Sequence, residues 1–345
     1  MVGALGSHVP ADHPLRPIKA LADEALAGMS GLFEQMYAER GRPSVPPERL
    51  LKAQLLIALF SVRSDRQLCE QLQYNLLFRW FLDLDLDLPA FDPTVFSHNR
   101  ARLIEHQAAK VFLAEVVELA KTRKLLSEDH FSVDGTLIEA WASAKSFRPK
   151  DEPPSGDSNG WSDFRGKGRS NETHECKTDP DAKLFRKGWG REAKLSYCGN
   201  LLIENRNGII VDVDIGHADG RCEREGGIRM LERLGKRAKR RTVAADKAYD
   251  TKAFVKECRT LGVTPHVTQN SWPGRPSAID GRTTRHGGYA VSQIVRRIIE
   301  PCFGWLKLSG AWRRTRFRGL GRVTLEALLA VAALDLLRIA NLQAA

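Results

Sequence analysis

From about Pro14 to Leu126 apolar residues recur at three- and four-residue steps, as in Leu50, Leu51, Leu55, Ala58 and Leu59, the period of helices that bury one stripe. Pro46 and Pro47 suit the first turn of that helix, where a missing N–H costs nothing. Ser64-Asp65-Arg66-Gln67 predicts the start of the next, with the Ser64 hydroxyl capping the Gln67 N–H and the Gln67 side chain reaching back. Asp92-Pro93 announces another, which carries His98, Asn99, Arg100 and Arg102. This region reads as an all-helical N-terminal domain over 1–126 whose Arg100 and Arg102 contact DNA.

At His130 the period changes to two. His130–Glu139 alternates like a strand, and Leu201–Glu204 and Ile209–Ile215 flank a turn at Asn205–Gly208, which predicts a hairpin. A helix over Glu223–Gly235, a strand over Thr242–Asp246, a helix over Lys252–Leu261 and a strand over Thr264–Thr268 follow. Paired strands, then strands alternating with helices, predict an α/β domain with a mixed sheet flanked by helices, spanning 127–310. The stretch 145–191 is rich in Gly, Ser, Asp, Lys and Arg and poor in aliphatics, so it reads as an inserted, mobile polar loop facing DNA. Residues 311–345 read as a basic segment and an apolar helix, Val323–Leu342, packing on the α/β domain.

Charge narrows the partner. The 345 residues carry 53 Lys and Arg against 42 Asp and Glu, a formal net charge of +11, which draws polyanions, with nucleic acid foremost. No lipidation motif, basic amphipathic opening helix or unbroken apolar span appears, so no membrane is expected. Six cysteines without a Cys-x-x-Cys pair read as reduced thiols of a cytoplasmic, nucleoid-associated protein, not as a zinc ribbon.

Two divalent ions about 3.5–4 Å apart, the arrangement that hydrolyses phosphodiesters, need carboxylates gathered from several elements. Asp134 lies inside a strand, Asp246 ends one that reads as buried on both faces, and Glu300 sits on a helix. That helix has an apolar stripe of Val291, Ile294, Val295, Ile298, Ile299, Cys302 and Leu306. On its other face Tyr289, Gln293, Arg296, Glu300 and Lys307 fall within roughly 40° of one another at about 100° per residue. A carboxylate for metal between cations for phosphate is what strand cleavage asks of a helix. Pro301 is expected to kink it just after Glu300. Asp83, Asp85 and Asp87 read as an extended linker, Asp179 and Asp181 as a turn, Asp250 as a helix cap and His266 as structural.

The spacing Arg296, three residues, Glu300, six residues, Lys307 resembles the Tyr-Arg-Glu-Lys signature of bacterial insertion-sequence transposases with a DDE triad. Val-Asp-Gly-Thr at Asp134, Ala-Asp-Lys-Ala-Tyr-Asp at Asp246 and the text around Glu300 resemble the IS-five branch. The resemblance implies an RNase H-like catalytic fold and maps Asp134, Asp246 and Glu300 onto a triad holding two Mg2+ ions, with Mn2+ as the alternative. It also implies recognition of terminal inverted repeats. Gln293 stands where the signature has Tyr, and Tyr289 lies one turn earlier. Intervals of 112 and 54 positions between the acids leave little room for an inserted domain, which predicts a compact member.

The expected partners are transposon-end DNA and target DNA, with a homodimer pairing two ends. Arg296, Lys307 and Lys247 would position phosphates near the acids, and Arg313, Arg314, Arg316 and Arg318 would extend the basic surface. Two rival readings use the same residues. An RNase H-like nuclease or resolvase would hydrolyse without joining, and a regulator descended from a transposase would bind without cutting.

Overall fold

The computed structural model describes residues 5–36, 45–151, 169–188, 190 and 192–344. Seven helices come first: α1 (Leu15–Ala27), α2 (Ser30–Met36), α3 (Pro47–Leu59), α4 (Asp65–Tyr74), α5 (Leu76–Phe81), α6 (Pro93–Glu105) and α7 (Ala108–Thr122). Their starts follow the expected chemistry. Pro47 opens α3, the Ser64 Oγ accepts from the Gln67 N–H at 3.1 Å, and Asp92 accepts from the Thr94 N–H at 2.8 Å. The Gln67 side chain reaches back to the Arg63 N–H at 2.9 Å.

The α/β part comprises β1 (His130–Glu139), β2 (Phe147–Pro149), β3 (His174–Cys176), β4 (Lys183–Phe185), β5 (Lys194–Glu204), β6 (Ile210–His217), α8 (Cys222–Arg233), β7 (Arg241–Ala245), α9 (Lys252–Thr260) and β8 (Val263–Val267). After these come α10 (Gly281–Thr284), α11 (Gly287–Val295), α12 (Ile299–Leu308) and α13 (Leu320–Ala344). The mixed sheet runs β6-β5-β1-β7-β8, with short β4 also on β5. Strand β1 is antiparallel to β5 and parallel to β7, and β7 is parallel to β8.

The stretch 145–191 is not wholly a loop. Within it β2 and β3 form a ribbon, Phe147 and Cys176 are buried, and β4 extends the sheet; residues 152–168, 189 and 191 lie outside the described residues. Asp179 and Asp181 tie the stretch down. Asp179 accepts from the Tyr197 hydroxyl at 2.6 Å and the Gly319 N–H at 3.1 Å, and Asp181 accepts from the Leu320 N–H at 2.8 Å, so both hold the start of α13. In the described part of the stretch, side-chain acceptors thus do the pinning alongside a few buried apolar residues.

Helices α8 and α9 cover one sheet face, where Phe131, Val133, Leu202 and Val243 pack with Met230, Phe254 and Val255. The other face, with Ile138, Leu201 and Ile203, joins a larger core that runs through α13 into α1, α3 and α7 without a break. Helix α13 is apolar nearly all round, so it sits between the N-terminal helices and the sheet and packs on both. Among the described residues no helix is long and apolar enough to cross a membrane.

Candidate active site

The last rung between β1 and β7 pairs Ser132 with Ala244. Two residues further on each strand stand Asp134 and Asp246, level with one another where β7 ends and β1 continues with β5 alone. Parallel neighbours lie about 4.8 Å apart. The two acids therefore share the mouth that opens as the strands part, at the carboxyl end of β7. Backbone amides fix both: Asp134 Oδ1 accepts from the Gly135 N–H and Asp246 Oδ1 from the Ala248 N–H, each at 2.8 Å. Burial first, and then the charge of Asp246, push the Asp134 carboxyl up to about 6, against the opposing pull of Arg296 and Lys187.

A third acid stands here that the sequence reading passed over. Glu223, in the first turn of α8, is pushed up to about 7, by burial first and then by Asp134 and Asp246. Its closeness depends on glycines. A Cβ on Gly135 would stand 2.6 Å from the Glu223 Cγ, and one on Gly226 would stand 2.2 Å from the Asn200 Nδ2 of β5. Gly227 lies against Val133. The sequence did hold a signal: two adjacent glycines in a helix interior cost about 1 kcal/mol each, so they mark a close approach.

The helix expected to carry Glu300 is broken. Helix α11 ends at Val295, a 3-10 turn spans Arg296–Ile298, and α12 begins at Ile299. Pro301 explains where: it lacks the N–H that would bond the Arg297 carbonyl and its ring crowds that carbonyl, so the break precedes Glu300 and does not follow it. The single apolar stripe fails with it. Ile299, Cys302 and Leu306 are buried, but Val291 and Ile294 are 59% and 71% exposed. Glu300 itself is exposed in the first turn of α12, between Arg296 and Lys307 along the chain. Both cations feel Asp134. The Nε of Arg296 is buried with no hydrogen-bond partner, and Lys307 is held low by burial and by neighbouring Lys187.

Tyr289 and Gln293 anchor α11 to the end of β8. The Tyr289 hydroxyl donates to the Val267 carbonyl at 3.0 Å, and Gln293 donates to the His266 carbonyl and accepts from the Thr268 hydroxyl, both at 2.6 Å. His266 is buried, 2.7 Å from the Ser292 Oγ. Asp250 caps no helix. Its carboxylate accepts from the Asn270 and Ala278 N–H groups, and Thr251 caps α9 instead.

The basic residues divide into two sets. Arg100 is buried, 2.5 Å from Asp65 and over the Phe317 ring, and Arg316 pairs with buried Glu326 at 2.7 Å; these two stabilise packing and offer no free guanidinium to DNA. Half-buried Arg102 reaches Asn99 at 3.3 Å. Lys247, Arg313, Arg314 and Arg318 are exposed, with Arg314 stacked over Trp141. Asp83 forms ion pairs with Lys19 and Lys52, so the acidic linker holds the helical region together. All six cysteines are buried and free.

Residues 127–336 match the family described as "Transposase DDE domain", and residues 4–102 match "Transposase domain (DUF772)". The chain belongs to the DDE transposases. It is a DNA-cleaving, strand-transferring enzyme of that family. No curated protein matches it. Among solved structures this transposase is similar to the cryo-EM structure of the piggyBac transposase synaptic complex with hairpin DNA, at 9% identity and a TM-score of 0.43, covering 96% of this chain and 76% of that one. It is also similar to the crystal structure of the Mos1 strand transfer complex, at 12% identity and a TM-score of 0.21, covering 87% and 81%. Likeness of this degree decides nothing about function.

Proposed function

We propose that the enzyme is an insertion-sequence transposase of the IS-five branch that binds terminal inverted repeats, cuts at the element's ends and joins the 3′ ends to target DNA. One observation carries the reading: Asp134 and Asp246 stand level at the parting of β1 and β7, half-buried, with the Asp134 carboxyl raised by burial and by the charge of Asp246. Hard oxygen donors in an acid-rich cleft suit Mg2+, or Mn2+ in its place. The sheet order, three antiparallel strands followed by two parallel ones with the acids at the centre, supports an RNase H-like fold.

In this reading Asp134, Asp246 and Glu300 hold two ions. When bound, they activate water and then a DNA 3′ hydroxyl for in-line attack and offset the charge on phosphate. Among the described residues no three such side chains already converge on one point. The protein's part is to hold the phosphates: the unpaired Arg296 Nε, Lys307 and Lys187 face the acids, and exposed Lys247, Arg313, Arg314 and Arg318 continue the basic surface. The residues over 1–126 hold the ends, the 127–310 unit cuts, and two protomers pair two ends in the cytoplasm, at the nucleoid.

Cleavage of the element's own end DNA in Mg2+ by wild type and by Glu300→Gln tests this. Bound but uncut DNA is the expected result with the variant. Unchanged cleavage would remove Glu300 from the triad, and hydrolysis without joining of a pre-cleaved 3′ end would favour a nuclease.

A further inference from the structure

We infer that Glu223 is a fourth carboxylate of the metal site, delivered by α8 from the sheet face opposite α12. The inference rests on the reading of Asp134 and Asp246 as metal ligands. Residues alternate across β1, so Asp134 points toward the face that carries α12 and Gly135 toward the face that carries α8. Any side chain at 135 would stand between Glu223 and the strand, and its absence lets the Glu223 stem lie against the backbone beside Asp134. Gly226, one turn along α8, removes the second obstacle by letting the helix press on Asn200 and Asp214. Two positions, Gly135 and Gly226, are thus shaped to bring one acid to the place where β1 and β7 separate and both faces become accessible.

An independent observation marks the same spot. The hydroxyl of Tyr249 is buried with no hydrogen-bond partner, and Asp134, Glu223 and Asp246 are foremost among the charged groups acting on it, ahead of Cys198. A buried hydroxyl without a partner is costly unless something enters to satisfy it. Its ring is fixed against Phe254, with centroids 5.1 Å apart, and its edge lies beside Gly227 of α8. A hydrated divalent ion held by these carboxylates supplies water oxygens for such a donor. Among the described residues the Glu223 carboxylate has no ion pair or hydrogen bond of its own, in contrast to Glu225, which stands by Arg229, and Asp214, which pairs with Arg229 and Arg233. Buried Glu204 on β5, another structural acid, accepts from the N–H groups of Ser127, Arg206, Asn207 and Ile209. Glu223 lies near Asp134 and Asp246, with Lys187 and Arg224 weaker in influence and neither bonded to it.

The test is Mn2+ binding to the full chain without DNA, followed by calorimetry and by the Mn2+ spin-resonance signal, with melting curves recorded in parallel. Glu223→Gln is expected to weaken Mn2+ binding at least tenfold, in the range seen when a supporting metal-site residue is lost. It should also melt no lower than wild type in EDTA, since a like charge is removed. Glu223→Asp should recover part of the affinity, and Glu225→Gln should bind as wild type does. Wild-type Mn2+ affinity in Glu223→Gln, with affinity lost in Asp246→Asn, would overturn the role of Glu223 and leave the Asp134–Asp246 reading standing. Lowered melting with unchanged affinity would also overturn it, as a packing role. Absence of Mn2+ binding to wild type would overturn both.

Discussion

The strand-borne acids and the helix-borne acids of this transposase are positioned by different means. Asp134 and Asp246 are set by a hydrogen-bonded ladder: once Ser132 pairs with Ala244, the next acids are level, and sliding by one residue would turn both to the wrong face. Glu223 and Glu300 depend on helices packed from outside. Helix α8 is pressed down by Gly226 and Gly227, whereas the start of α12 follows a 3-10 turn and leaves Glu300 exposed. Ladder geometry tolerates no adjustment, and helix docking does. In the proposed metal site, acids fixed on one side and adjustable on the other would suit the gripping of ions and the entry and release of DNA.

The largest effect should come from the fixed side. Asp246→Asn is expected to remove about 4 kcal/mol of transition-state stabilisation, roughly a 10³-fold loss in cleavage, with end binding retained in a gel-shift assay. Retained cleavage would show that the ladder does not define the site. Next comes the glycine clearance. Gly135→Ala should lower stability by about 1–3 kcal/mol, because the new methyl meets Glu223 and Asn200. Chemical denaturation measures this, and an unchanged midpoint would mean that α8 yields at no cost.

The smallest effect concerns the anchor of α11. Burial holds the His266 pKa below its usual value, so the unfolded chain binds more protons in the window just below pH 6.5. Stability from this group is therefore full above pH 6.5 and falls as the solution is acidified through that window. Hydrogen exchange across α11 should quicken on acidification, and His266→Asn should flatten the dependence.

The elements were readable because period-two alternation and small apolar runs report burial directly, whereas the two strand acids stood out chiefly through the resemblance of the text around them to the transposase motifs. The relation between those acids was beyond the sequence, since register is a property of two strands and neither encodes it alone. Glu300 drew attention through its neighbours Arg296 and Lys307, yet the regular helix assumed for that face is interrupted by the effect of Pro301 on the turn before it. Arg100 and Arg316 looked like DNA contacts because charge implies exposure on average, but long-range partners Asp65 and Glu326 draw them inward. Gln293 faces β8, where its amide serves the His266 carbonyl and the Thr268 hydroxyl together.

Helix α13 is the hub of the larger core, in contact with α1, α3 and α7 as well as β6. During synthesis, then, the early helices emerge without the surface that completes them and must wait roughly two hundred residues for it. Such distant contacts slow folding and leave apolar faces open in the interval. Newly made chains should lean on chaperones until α13 docks, so the supply of competent enzyme would follow the folding capacity of the cell as well as the rate of translation.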